Sequence, residues 1–362
     1  MVGKHSRHVL LALALVALTP LFASGNPVIG MDLLPTLSYS AQEDSWTDQV
    51  VANLTLTLSS KNEGNVRGEV VLKGNNLSVP TSFDDVVHKA YFKARFPSFR
   101  LTAGKTRLSW GEGMLFNAGD VLYGDNSASV SLTQAELRST TSWLASVNYP
   151  LGYFSFAEAV VMPSETQTPT DLFLAARYYT TVKGLKMEAG YATRKPLGEA
   201  RVHKPYLSLQ GNVGFDWYLS SSLAIPEEGA FLEESKESWL VSGGIFYLQR
   251  LPHERSLTLR LEALTRPFGD WKTHSVKDAD AALLFYPELS LAYSPALSFS
   301  LRSIISPLDL SARATFSTIW NVFEAFNLVG SISCDAGNAG DLFPWNSTGS
   351  SLSVTVGSSW VF

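Results

Sequence analysis

Apolar and polar side chains alternate singly along most of this chain. In SLSVTVGSSWVF, residues 351–362, Leu352, Val354, Val356, Trp360 and Phe362 share one parity, and Ser351, Ser353, Thr355 and Ser359 share the other. The same period of two runs through VANLTLTLS (51–59), NVRGEVVLK (65–73), KAYFKARF (89–96), SLTLRLEAL (256–264), LSFSLRS (297–303) and DLSARATFS (309–317). Successive side chains of a strand point to opposite faces, so each segment predicts a strand with one greasy and one polar face; a helix would need apolar residues three and four apart. Tight-turn signals separate the runs at Pro97-Ser98, Pro150-Leu151-Gly152, Lys183-Gly184, Gly211–Gly214 and Ser294-Pro295-Ala296. Longer polar stretches lie near 41–47, 77–85, 107–139, 162–170, 195–201, 225–236, 268–280 and 335–349. Short and long connections in alternation are what a closed barrel with one tight rim and one looped rim requires. With both termini at the tight rim the strand number is even. Eighteen is the direct count, sixteen follows if the weak strand near 32–40 or the Ser306-Pro307 turn fails, and fourteen is the lower limit. The expected fold is an all-β, closed antiparallel transmembrane barrel.

Composition strengthens this reading. Charged residues are 17% of the chain, against about 25% in an ordinary soluble domain, and aromatics are 12%. After the first 25 residues no segment approaches the ~18 consecutive apolar residues of a membrane-spanning helix. The chain's N-terminus has the layout of a secretory signal peptide: Lys4 and Arg7, an apolar run from Val9 to Leu18, then Pro20 and the small exit Ala23-Ser24-Gly25. Residues 1–25 are the expected signal peptide and residues 26–362 the barrel. A net charge of −5 argues against a nucleic-acid partner. The single cysteine, Cys334, excludes an intramolecular disulfide and shares the apolar parity of Leu328 and Ile332, so a lipid-facing position is expected.

The signal peptide, the amphipathic strands and Trp360 followed by Phe362 together resemble a Gram-negative-type outer-membrane β-barrel, porin-like in character. The resemblance covers the whole mature chain. It implies insertion into outer-membrane lipid after leader removal, and a last strand read by the barrel-assembly machinery through its terminal phenylalanine. A narrower resemblance lies in GKTRLSWGEGMLFNAGDVLYGDN (104–126), similar to a segment of large porin-like and export barrels. It rests on Gly104, Lys105, Trp110, Gly111, Gly113, Asn117 and Asp120, with Ala118 where many members have proline.

If the polar parity lines a lumen, the inward basic residues are Arg67, Lys73, Lys93, Arg95, Arg100, Arg177, Lys186, Arg260, Arg302 and Arg313, and the inward acids are Glu69, Glu188, Glu262 and Glu288. Ten against four makes a basic wall in an acidic protein, with the surplus acid in loops such as 226–237. Clustered positive charge concentrates anions; equally, these arginines can pair with the acids and serve only to hydrate the lumen, as the neighbouring Arg260 and Glu262 could. The long connection 107–139 is the candidate constriction loop. Gly111 and Gly113 open backbone conformations closed to other residues, and Trp110, Glu112, Asn117 and Asp120 would supply an aromatic and polar lining.

Enzymatic readings find little support. Asp84-Asp85 near His88 has no second Asp–His pair, no His-x-Ser motif is present, the histidines have no metal-site spacing, and GEGMLF is not a phosphate loop. The expected function is passive diffusion of small polar, anion-leaning solutes, with no cofactor and no metal. A transporter of hydrophobic substrates such as fatty acids, or a non-conducting surface barrel acting in binding or adhesion, are the alternatives. Homo-oligomers are common among porins, but no trimer face is marked in the sequence.

Overall fold

The computed structural model describes residues 27–60, 64–77, 80, 82–124, 126–133, 137–163, 171–196, 200–227, 235–271, 281–345 and 351–361. The expected signal peptide and the terminal Phe362 lie outside these residues. In chain order the elements are β1 (Val28–Ser40), β2 (Ser45–Ser59), β3 (Val66–Asn75), the one-turn α1 (Phe83–Val86), β4 (Val87–Arg95), β5 (Arg100–Thr106), β6 (Ser142–Pro150), β7 (Ser155–Met162), β8 (Phe173–Val182), β9 (Leu185–Arg194) and β10 (Val202–Asn212). They continue with β11 (Asp216–Ser222), β12 (Ile225–Pro226), β13 (Leu240–Leu251), β14 (Arg255–Thr265), β15 (Leu283–Ser294), β16 (Leu297–Ser306), β17 (Ser311–Phe323), β18 (Phe326–Ala336) and β19 (Leu352–Val361).

Every long strand pairs antiparallel with its neighbours in sequence, and β11 pairs directly with β13. The sheet closes where β1 meets β19, from Gly30↔Val361 to Tyr39↔Leu352. A hydroxyl pair, Thr36 Oγ1 to Thr355 Oγ1 at 2.9 Å, bridges this seam between residues 319 positions apart. Closure leaves no unpaired edge, which a bilayer demands.

The expected range of fourteen to eighteen strands is corrected. Eighteen long strands close the barrel, and a nineteenth of two residues, β12, is added on β10 through Val202↔Pro226 and His203↔Ile225. The weak strand near 32–40 is a full member of the sheet. Its signal was blurred by Pro35, which has no N–H to donate: the β1–β19 ladder skips Leu34 and Pro35. Gly357 permits the close approach there, since a Cβ would lie 2.2 Å from the Leu33 carbonyl. Ser306-Pro307 opens a genuine turn, residues 307–310 separating β16 from β17.

The apolar parity faces outward. Leu33, Leu54, Leu174, Leu207, Leu219, Leu259, Leu289 and Ile332 are all exposed on the outer surface, as hydrocarbon contact requires. Aromatic belts flank this band. Tyr149, Tyr153, Phe154, Tyr247, Tyr293, Trp320 and Phe323 ring the tight-turn rim, and Trp46, Tyr191, Phe268 and Trp271 the looped rim. Cys334 pairs with Ala314 and Leu352 on this outer face. Among the described residues no helix is long and apolar enough to cross a membrane; the strands do the crossing. The buried core is unusual for a sheet protein in lying inside the cylinder, where the connection between β5 and β6 folds against the inner wall.

Candidate functional site

The 107–141 connection enters the lumen and is fastened at four places. At the first, the backbone N–H groups of Met114, Leu115 and Phe116 donate to the Glu262 carboxylate at 2.7, 2.9 and 2.9 Å. Glu262 is 0% exposed. Consecutive N–H groups curled around one point form an anion nest, here filled by a wall side chain. Tyr218 closes the nest by donating its hydroxyl to the Phe116 carbonyl at 2.9 Å, and Arg260 lies 3.3 Å from the same carboxylate.

The sequence permits this curl because of its glycines. Gly113 has φ of +131°, and a Cβ there would stand 2.2 Å from the Phe116 carbonyl oxygen and 2.9 Å from the Tyr218 hydroxyl. Gly113→Ala should therefore weaken the nest by about 1–3 kcal/mol, the usual cost of a forced backbone. It is expected to make the 107–141 connection cleavable in limited proteolysis under conditions where the parent resists.

At the second anchor, the Trp110 indole N–H donates to Glu158 at 3.0 Å and the Gly111 N–H to Glu188 at 3.0 Å. Arg177 bridges the two carboxylates at 2.8 and 3.1 Å, donates to the Ser109 carbonyl, and lies over the Trp110 ring. The Tyr206 hydroxyl donates to Glu188. The third anchor lies within the loop: buried Asp120 accepts from Arg107 at 2.5 Å and from Arg138, whose other nitrogen caps the Gly113 carbonyl at 3.0 Å. Asn117 holds the turn by donating to the Trp110 carbonyl and accepting from the Gly119 N–H, both at 2.9 Å. At the fourth, the Ala118 N–H donates to Ser242 on β13 at 2.8 Å.

Two apolar clusters fill the space between these anchors. Leu115, Phe116, Ala128, Leu132 and Leu137 of the loop pack on Leu264, Leu284, Tyr286 and Ile304 of β14–β16 and on Phe343. Trp110, Val121 and Leu122 pack on Leu144, Val160, Met162, Phe173, Ala175, Ala192 and Tyr206 of β6–β10. These wall residues occupy inward positions, so water is excluded there and the charge-assisted bonds beside them strengthen.

Of the ten inward basic residues, Lys186 donates to Gln210 at 2.8 Å, and the other nine fall into two groups by location. Arg177, Arg260, Arg302 and Arg313 are paired: Arg260 and Arg302 reach Glu288 at 3.3 and 3.2 Å, and Arg313 makes two bonds of 2.7 Å to Asp335. Arg302 also donates to the Leu132 carbonyl of the loop at 3.2 Å. Arg67, Lys73, Lys93, Arg95 and Arg100 are exposed on β3–β5, away from the loop's anchors. They are neighbours in register, through Arg67↔Lys93 and Arg95↔Arg100. Lys93 lies 5.1 Å from the Tyr91 ring centre, and Tyr91 donates to Glu69 at 3.0 Å. Glu112 is partly buried on the loop, facing Lys186 and Glu188, and burial raises its carboxyl above the ordinary range. Trp360 packs on Phe326 with ring centres 5.1 Å apart.

Sequence reasoning missed Glu158, Arg107, Arg138, Ser242 and Asp335. Glu158 stands in an otherwise apolar strand, and Asp335 fell beyond the expected end of β18, which runs to Ala336. One legible signal was unused: AVVM (159–162), FLAA (173–176) and LLF (283–285) are unbroken apolar runs, the mark of a strand covered on both faces.

The connection between β18 and β19 is tied to the looped rim by Asp309, which accepts from the Leu342 N–H at 2.8 Å and from the Ser311 hydroxyl and N–H at 2.8 and 3.1 Å. Burial pushes its carboxyl up, but these bonds and one from Ser306 outweigh burial and hold it below the usual carboxylate range. A depressed carboxylate stabilises the fold above its unfolded value of about 3.9, and that contribution is lost as pH falls through the lower folded value. Hydrogen exchange at 337–345 is expected to accelerate in that acid window and to lose this pH dependence in Asp309→Asn.

No family model matches the chain, and no curated protein matches it in sequence. Solved structures do match in fold. OccAB3 of Acinetobacter baumannii superposes with a TM-score of 0.55 at 12% identity, over 94% of this chain and 99% of that one. OccK2 (OpdF) of Pseudomonas aeruginosa, solved in complex with glucuronate, gives 0.56 at 10% identity over 93% and 96%. Wzi of Escherichia coli, an outer-membrane protein of group 1 capsule assembly and a carbohydrate-binding β-barrel, gives 0.55 at 12% identity over 91% and 83%. The strand closure, the outward apolar band and these likenesses agree: the chain has the fold of the outer-membrane β-barrels of Gram-negative bacteria.

Proposed function

We propose that this barrel is a passive outer-membrane channel for small polar solutes with a preference for anions. The observation that carries the reading is the asymmetry of the inner wall. The loop covers inward positions from β6 to β16, while most inward serines, threonines and asparagines of β17–β19, β1 and β2 stay partly exposed, among them Asn53, Thr55, Ser317, Ser333 and Thr355. A polar conduit beside the loop follows from that asymmetry. Its charge comes from Lys93, Arg95 and Arg100, exposed on β4 and β5, because the arginines of β8, β14, β16 and β17 are matched by carboxylates. The glucuronate complex of a barrel with this fold is consistent with an anionic cargo.

Bilayer conductance under a potassium chloride gradient tests this. Stepwise conductance with an anion-selective reversal potential is expected, moving toward cations in Arg95→Glu/Arg100→Glu. Cation selectivity in the parent would refute the preference, and a folded but silent barrel would refute the channel. A second reading, a closed surface barrel that binds carbohydrate, draws on the Wzi likeness and on the depth of the loop's packing; silence with sugar binding would favour it. The hydrophobic-substrate alternative draws no support from β6–β10 and β14–β16, whose buried apolar inward residues pack under the loop.

A further inference from the structure

At the tight-turn mouth two like-charged pairs stand in register on β3–β5. Arg67 is opposite Lys93, and Arg95 is opposite Arg100. Lys93 and Arg95 are two residues apart on β4, so all four share the inward parity and one patch of wall. Lys93, Arg95 and Arg100 are exposed, and none of these three makes an ion pair among the described residues. The nearest inward acids are engaged elsewhere. Glu69, in the next row, accepts from the Tyr91 hydroxyl at 3.0 Å, and Glu158, beyond Asn148, is held by Arg177 and Trp110 at 2.8 and 3.0 Å. We infer that this patch binds a free phosphoryl dianion, inorganic phosphate or a small phosphate monoester; as a waypoint at the mouth it rests on the channel reading above.

Charge alone would admit any anion; the pairing selects among them. Side chains directly opposite on antiparallel strands have Cβ atoms roughly 4.5–5.5 Å apart, and like charges there destabilise the pair. A carboxylate brings one charge and two oxygens, which a single guanidinium fork engages fully. The second arginine would still face a cation. A phosphoryl group carries about −1.5 to −2 near neutral pH and offers three acceptor oxygens. It can therefore bridge the Arg95 and Arg100 forks and still accept from Lys93, which relieves the repulsion between them. Thr102 opposite Lys93 and Asn148 opposite Arg100 add uncharged donors on the same parity.

The hairpin that carries the arginine pair separates it from lipid. Phe96 and Phe99, on the outward parity of Ala94 and Leu101, stack with ring centres 4.5 Å apart, and the Phe96 N–H donates to the Phe99 carbonyl at 2.9 Å. The aromatic side of this hairpin belongs to the outer surface and its cationic side to the lumen. The phosphoryl group therefore comes from the aqueous mouth and not from a phospholipid head group.

Calorimetric titration of the full-length barrel in dodecyl maltoside tests the site. Inorganic phosphate is the probe, with sodium acetate, sodium glucuronate and dihexanoyl phosphatidylglycerol as comparators. Phosphate is expected to bind saturably and at least ~10-fold more tightly than any comparator. Arg95→Gln/Arg100→Gln should lose that advantage, and Arg95→Lys/Arg100→Lys, which keeps the charges without the forks, should keep part of it. Phosphate should also raise the unfolding temperature of the parent and not that of the glutamine variant, which in phosphate-free buffer should unfold no lower than the parent. Absence of saturable heat, a carboxylate that binds as tightly as phosphate, or undiminished binding in the glutamine variant would each overturn the assignment. Equal binding of the phosphatidylglycerol would transfer the site to lipid and overturn the free-solute assignment. The two readings fail separately: a conducting barrel that binds no phosphate removes the site alone, and a silent barrel with binding that depends on Arg95 and Arg100 removes the channel alone.

Discussion

Replacing Glu262 with alanine is expected to release the inward loop and raise single-channel conductance. The substitution strips three N–H groups of their acceptor at once. Each buried donor left unsatisfied costs about 1–3 kcal/mol, and Arg260 loses one of its two carboxylate contacts. Lumen water can reach the donors only if Leu115 and Phe116, at 2% and 0% exposure, leave their cluster. Local rehydration therefore requires loop movement, and the anchor fails as a unit. Glu262→Gln keeps the shape without the charge and presents an amide N–H₂ to a set of donors, so an intermediate effect is expected. Larger, noisier conductance steps together with protease cleavage inside 107–141 would confirm the anchor. Parent-like conductance and protection in Glu262→Ala would show that the apolar cluster alone holds the loop.

The second large effect is expected at Arg177. Removing this side chain leaves Glu158 and Glu188 facing each other in a buried region without the cation that bridges them. Breaking a buried ion pair by deleting one partner costs about 3–5 kcal/mol, and here two carboxylates are stranded. The consequence is expected in the barrel itself as well as in the loop, because the two acids belong to β7 and β9 while Arg177 stands on β8 between them. Arg177→Ala should lower the temperature at which the barrel loses its strand circular dichroism in detergent. Arg177→Lys should recover part of the loss, since one ammonium cannot reproduce the fork. An unchanged unfolding temperature in Arg177→Ala would mean that the cluster around Trp110 carries this region.

Much of the barrel was legible because a period of two is stamped on every strand that has lipid on one side and water on the other. Leu54, Leu56 and Leu58 against Asn53, Thr55 and Thr57 need no tertiary information to interpret. Legibility fails where that contrast disappears. Val160, Met162, Phe173, Leu264 and Ile304 point inward yet are apolar, because their inner neighbour is the loop and not water; alternation cannot register a partner that comes from elsewhere in the chain. The weakness of β1 had a different cause, Pro35. The charge tally was legible as an inventory but not as a field. Arg177, Arg260, Arg302 and Arg313 count equally with Arg95 and Arg100 in sequence, and only their carboxylate neighbours in space separate the two groups. Glu158 escaped because a lone acid in an apolar strand resembles an interruption until the Trp110 indole is placed against it.

The hydroxyl seam between Thr36 and Thr355 has a consequence for the order of assembly. Joining residues 319 positions apart carries a closure entropy on the order of 5 kcal/mol before any contact repays it. The loop's anchors to β7, β9, β13 and β14 span shorter stretches and draw on buried charge and apolar area together. They can form while the first and last strands are still apart. The nascent molecule would then be a stiff half-shell, held from within by its own loop, with two pliant flanks whose strand edges remain open to pairing. Circularisation comes last, and the seam is the place where a chaperone or an opposing strand would have its longest opportunity to bind.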